Sequence, residues 1–89
     1  MRITIRYFAS VREALGCAEE EVSLPPEVKS VHDLQCWLAA RGGEWQQKLD
    51  PASPQARALR HAFQMQMCSP QQLLQDGAEV AFFPPVTGG

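Results

Sequence analysis

The stretch D76-GAEVAFFPPVTG-G89 (DGAEVAFFPPVTGG) decides how this chain is read. Asp76-Gly77 is a turn signal, because glycine accepts a positive φ and aspartate bonds its own backbone. Residues 79–83 then alternate, with Val80 and Phe82 expected on one side of a strand and Ala81 and Phe83 on the other. Pro84 and Pro85 carry no amide hydrogen, so the ladder should end there. We therefore expect one folded domain over residues 1–83 and an extended tail over residues 84–89. At about 3.3 Å per residue that tail spans roughly 20 Å, enough to enter the active site of another protein. Pro84 and Pro85 bias its start toward polyproline II, while Gly88 and Gly89 fit a channel only a backbone wide. Val86 and Thr87 lie between them.

Working back from this strand, residues 2–8 (RITIRYF) alternate Ile3, Ile5 and Tyr7 against Arg2, Thr4 and Arg6, the period of a half-buried strand. Phe8 falls on the polar side. Ser10 and Glu13 have the spacing of a capping box, Val11, Ala14 and Leu15 share a helical face, and Gly16 should stop that helix. Val22 and Leu24 mark a second strand closed by Pro25-Pro26. Ser30 opens the longest helical pattern, with Asp33 in its first turn, Val31, Leu34, Leu38 and either Trp37 or Cys36 buried, Arg41 as a basic last turn and Gly42-Gly43 as terminator.

Residues 44–60 read as irregular, with a short helix opening at Ser53-Pro54 and reaching Leu59. HAFQMQMC, residues 61–68, alternates Phe63, Met65 and Met67 against Gln64 and Gln66 and reads as one strand, its methionines core or interface. Leu73 and Leu74 form either a single helical turn or a bridge. This order is that of an α+β domain, a mixed sheet with helices on one face. If the first and last strands are neighbours at the centre of the sheet, the fold is a β-grasp, the ubiquitin-like arrangement; periodicity alone leaves that order open.

Composition narrows the function. With 89 residues, 45% hydrophobic and 20% charged, the chain suits a single domain with one core. No apolar run approaches the roughly 20 residues of a membrane span, and the alternating start is unlike a signal peptide, so a cytoplasmic protein is expected. A net charge of −2, with 8 Lys and Arg spread along the chain, argues against nucleic acid as main partner. Cys17, Cys36 and Cys68 are odd in number and widely spaced, and are read as structural. His32 and His61 lack a second ligand at helical spacing and are read as surface or helix-start residues, so no metal site is expected. What stands out is the chain end. An open glycine carboxylate suits adenylation, in which it attacks the α-phosphate of ATP and the acyl-adenylate is captured by a sulfur or amine nucleophile. A flexible end with no role is the alternative.

DGAEVAFFPPVTGG closely resembles the C-terminal signature of the small sulfur-carrier subunits of molybdopterin synthase, and RITIRYFASVREALG resembles the first strand and helix of the same family. The match is weakest over residues 44–66, where AFQMQM departs from it. The resemblance implies a β-grasp fold and no permanently bound cofactor. Gly89 would be adenylated by an E1-like enzyme using ATP and converted to a thiocarboxylate. Its sulfur would pass to cyclic pyranopterin monophosphate inside the large synthase subunit, in a heterotetramer, building the dithiolene of molybdopterin. The small subunit would be no enzyme on its own. Pro84, Pro85, Val86, Thr87 and Gly88 would thread into the partner, and Phe8, Met67 and Phe83 would make apolar contacts around the tail's base. A sulfur carrier for thiamine thiazole synthesis, a ubiquitin-like protein modifier and a plain binding module are the competing readings.

Overall fold

The computed structural model describes residues 1–85. Arg2–Tyr7 (β1) lies parallel to Glu79–Phe83 (β5), with Ile5 opposite Val80 and Tyr7 opposite Phe82. These are the two expected central strands. Glu19–Ser23 (β2) pairs antiparallel with β1, Arg60–Phe63 (β3) antiparallel with β5, and Gln66–Met67 (β4) antiparallel with β3. The sheet order is β2-β1-β5-β3-β4, the β-grasp topology. Between β2 and β3 come two helices, Val31–Ala39 (α2) and Glu44–Leu49 (α3), and a 3₁₀ turn at Pro54–Ala56; Ala9–Leu15 (α1) joins β1 to β2.

The alternation in β1 and β5 is realised as a two-faced sheet. Ile3, Ile5, Tyr7, Val80 and Phe82 are at most 1% exposed and join Val31, Leu34 and Leu38 of α2 in one core. At about 25 cal/mol per Å² of apolar surface removed from water, each such side chain contributes roughly 1.5–3 kcal/mol. α2 is started as its sequence dictates: the Ser30 side chain accepts from the Asp33 N–H, and the Asp33 carboxylate accepts from the Ser30 N–H at 3.2 Å. Trp37, not Cys36, packs against the core. Leu73 forms the bridge, opposite Ser30.

Five local readings are corrected. The first helix has no Ser10–Glu13 capping box. Phe8 occupies the cap position because its N–H is held by the Phe82 carbonyl at 3.1 Å, and its own carbonyl accepts from Val11 and Arg12. Gly16, at φ 67°, does end that helix in the left-handed conformation. Arg41 is not in the last turn of α2, which stops at Ala39. Its guanidinium instead holds both oxygens of Glu20, at 2.9 and 3.0 Å, and lies 4.3 Å from the ring centre of Trp45.

The irregular stretch contains α3, entered through Gly43 at φ 56° with no side-chain cap. The helix expected from Ser53-Pro54 is shorter, a 3₁₀ turn whose Ser53 hydroxyl donates to the Gln47 carbonyl. Residues 61–68 are a hairpin, not one strand. Gln64 and Met65 both have positive φ, 52° and 66°, the requirement of a two-residue type I′ turn.

Candidate functional site

The last strand ends at Phe83 because the two residues that follow it, Pro84 and Pro85, have no amide hydrogen to donate to the ladder. On one side of the tail root the Phe8 N–H reaches the Phe82 carbonyl, and on the other Arg60 stands opposite Phe83. Pro84 and Pro85 follow, both half-buried, without amide hydrogens. Val86, Thr87, Gly88 and Gly89 lie outside the described residues.

Phe82 fixes this root to the core. Its ring is fully buried, stacked on Tyr7 at 6.2 Å and met edge-on by His61 at 5.6 Å. Each flanking ring has its own polar anchor. The Tyr7 hydroxyl donates to Glu20 at 2.8 Å, and His61 Nε2 lies 3.0 Å from Gln35 Oε1. Burial, reinforced by the bond to Glu20, pushes the Tyr7 phenol far above its ordinary range. Glu20 stays below the usual carboxylate range: burial opposes this, but hydrogen bonds from Arg41 and Tyr7 outweigh it. Burial pushes the His61 imidazole below its ordinary value, with the charges of Arg60 and His32 adding to the shift. His61 is thus a buried strand residue, contrary to the surface reading, and Gln35 is buried with it. Parity held the clue, since 61 and 63 share a face and Phe63 points to the core.

The outer face of the sheet is divided. Toward β2 it carries ion pairs, Arg2 with Glu21 and Arg6 with Glu19 and Glu79. Toward β4 it is apolar apart from Arg60, which stands opposite Phe83. Ala62 stands opposite both Ala81 and Met67, so these three share a face with Phe83. Phe8 is extended, at φ −126° and ψ 153°, so alternation brings its ring out on that face as well. Phe8 is 42% exposed and Met67 65% exposed. The hairpin corrects one detail: the turn puts Met67 on the face opposite Phe63, whereas a continuous strand would have kept them together.

Among the described residues no three His, Cys, Asp or Glu side chains come together as a metal site. Contrary to the reading of His32 as lacking a second ligand at helical spacing, Cys36 lies one turn on and approaches it to 3.6 Å, but burial and then Asp50 and Asp33 push the Cys36 thiol up. Burial raises Cys68 likewise, so neither is an activated thiolate.

Comparison with known proteins agrees with the topology and the chain end. Residues 5–89 match the ThiS family. The chain is 37% identical, over 98% of its length and 99% of the relative's, to the molybdopterin synthase sulfur carrier subunit of Escherichia coli (strain K12). Among solved structures it resembles SAMP1 of Haloferax volcanii, with TM-score 0.79, 19% identity and full coverage of both chains, a likeness of fold. It also resembles a putative molybdopterin converting factor subunit 1 of Pyrococcus furiosus, with TM-score 0.73 and 28% identity over 97% of this chain and 99% of the other. A third neighbour, covering 100% of each chain at TM-score 0.66 and 18% identity, comes from a complex of subunits 1 and 2 of the Helicobacter pylori 26695 molybdopterin-converting factor. With a β-grasp sheet, a proline-terminated central strand and a match that runs through Gly89, this chain belongs to the ThiS family.

Proposed function

We propose that this protein is a sulfur carrier in molybdopterin synthesis, the small subunit of a synthase whose catalytic groups lie in its partners. The observation that carries the reading is the tail root: a central strand clamped by Tyr7 and His61, ended by Pro84-Pro85, beside an apolar patch in which Phe8 and Met67 are exposed and Phe83 is half-buried. It is supported by the 37% identical relative of that name and by the two-subunit assembly from which one structural neighbour comes.

In this reading an oxygen of the Gly89 carboxylate attacks the α-phosphate of ATP in an E1-like partner and displaces pyrophosphate. Sulfide from a sulfur donor then attacks the acyl carbon and displaces AMP, leaving a thiocarboxylate. ATP belongs to the partner, and this chain keeps no cofactor of its own. The outer face docks on the large subunit of a heterotetramer, while Pro84, Pro85, Val86, Thr87 and Gly88 lead the sulfur to cyclic pyranopterin monophosphate. Among the described residues no helix is long and apolar enough to cross a membrane, and we place this chemistry in the cytoplasm.

The test is deletion of Gly89 in a synthase reconstituted with the large subunit. Sulfur transfer should be lost while the far-ultraviolet spectrum and melting temperature stay unchanged. Full activity of the truncated chain would overturn the proposal.

A further inference from the structure

On the inner side of the edge strand β4 a groove of about 450 Å³ lies between α2, the 3₁₀ turn and β3. That volume is in the range of about 300–1,000 Å³ typical of clefts that hold ligands. Its apolar lining comes from Pro51, Leu59 and Pro70, and its charge from Arg57 and Arg60. No carboxylate lines it.

Two features distinguish this groove from a packing defect. The first is its charge. Arg2, Arg6 and Arg41 each have a glutamate partner, whereas among the described residues Arg57 and Arg60, like Arg12, Lys29 and Lys48, are in no ion pair; Arg57 and Arg60 are exposed and line this groove together. The chain carries 10 acidic residues against 8 basic ones, so two unpaired arginines at one cleft run against its overall balance. The second is its floor. Gln35 and His61 both line the groove and bond each other through Oε1 and Nε2. Gln35 Nε2 and His61 Nδ1 have no partner among the described residues, yet no buried side-chain nitrogen or oxygen is left unsatisfied. Gln35 and His61 are only 4% and 8% exposed, and both line the groove. With Nε2 donating to Gln35, neutral His61 offers an acceptor at Nδ1 and Gln35 offers an amide donor, the pair of functions that a peptide group requires.

We propose that this groove docks a short acidic segment of a partner protein, seating one bulky apolar side chain between Pro51, Leu59 and Pro70. Carboxylates flanking that side chain meet Arg57 and Arg60, which can each take a carboxylate in two parallel bonds. The backbone of the segment bonds Gln35 and His61. A small anion would leave the apolar lining unused, and nucleic acid requires a longer basic track than two arginines supply. The inference stands apart from the function proposed above, because the groove faces the helices and not the outer sheet face; Arg60 and Met67 form the rim where the two surfaces meet.

The test uses the full-length chain, labelled with nitrogen-15, and the blocked peptide Asp-Glu-Leu-Phe-Asp-Glu, with Lys-Lys-Leu-Phe-Lys-Lys as control. The acidic peptide should shift the amide resonances of Gln35, Leu59, His61 and Cys68. Arg57→Glu together with Arg60→Glu should weaken binding at least about tenfold with an unchanged spectrum elsewhere, as expected when attraction becomes repulsion at an interface rim. The proposal is overturned if no groove resonance moves up to about 1 mM peptide, if the shifts fall on Ala81 and Phe83 instead, or if the lysine peptide binds equally well. It is also overturned if deleting residues 86–89 itself shifts the groove resonances and tightens peptide binding, which would make the chain's own end the occupant. Tighter binding of a uridine hexamer at the same residues would assign the groove to nucleic acid.

Discussion

Phe82 is sealed from solvent, while Phe83, the next residue, is half-buried on the opposite face. Phe82→Ala removes a ring held on two sides and should lower unfolding free energy by about 3–5 kcal/mol in denaturant titrations. Phe83→Ala should cost no more than about 1 kcal/mol. Its effect should appear instead in titration against the large synthase subunit, as at least a tenfold loss of affinity. A large drop in melting temperature with unchanged binding would place Phe83 in the core. His61 offers a prediction in pH. Its folded-state pKa lies below the ordinary 6.5, so below that pH the unfolded chain takes up a proton that the folded chain does not. Stability should fall as pH drops from about 6.5 down through the lowered folded-state value. In His61→Gln that slope should flatten, as measured by urea midpoints across the range.

At the scale of elements, Glu20 joins β2 to β1 through Tyr7 and to the end of α2 through Arg41. The pair is partly exposed, so solvent screening limits its worth, and Glu20→Gln should cost about 1–2 kcal/mol. Because Glu20 titrates below its ordinary 4.5, this contribution is present above that pH and fades as pH falls through the lowered value. The β3–β4 turn holds Met65 at φ 66° with its side chain 87% exposed. Met65→Gly relieves that conformation and should stabilise the chain by about 0.5–1 kcal/mol in thermal unfolding, a gain Gln64 would not give because its Oε1 accepts from the Glu79 N–H.

These elements also show where the sequence could be read and where it could not. β1, β2, α2 and β5 announce themselves because burial on one face imposes a period, and Ser30, Gly16 and Gly77 carry caps and turns in their own chemistry. α3 is short, enters through a glycine without a side-chain cap, and follows α2 so closely that no separate period emerges. The hairpin turn uses Gln and Met where Asn and Gly would be the signal, so in the sequence the alternation runs on through it. Of the residues expected around the tail's base, Phe8 and Phe83 stand out in the sequence because they fall on the side of their strands opposite the main apolar set, whereas Met67 sits within an alternation and is named only through the family resemblance. Gln35 carries no signal of its own and His61 reads as a surface residue, because polar residues on an inward face declare themselves only when the two elements are brought together.

The whole molecule separates its tasks by face. The inner sheet face and helices hold the core, the β2–β1 half of the outer face is closed by ion pairs, and the β5–β3–β4 half presents apolar side chains beside the exit of the tail. Among the described residues the core runs from Ile3 to Phe82, and in the proposed reading the chain end is passed between partners while this fold stays intact. The central claim is that Gly89 carries sulfur. Its most direct measurement is intact mass after incubation with the E1-like partner, ATP and a sulfur donor. The account predicts a free species heavier by the difference between sulfur and oxygen, absent when Gly89 is deleted. An unchanged mass, or accumulation of covalent conjugates to other proteins in its place, would contradict it.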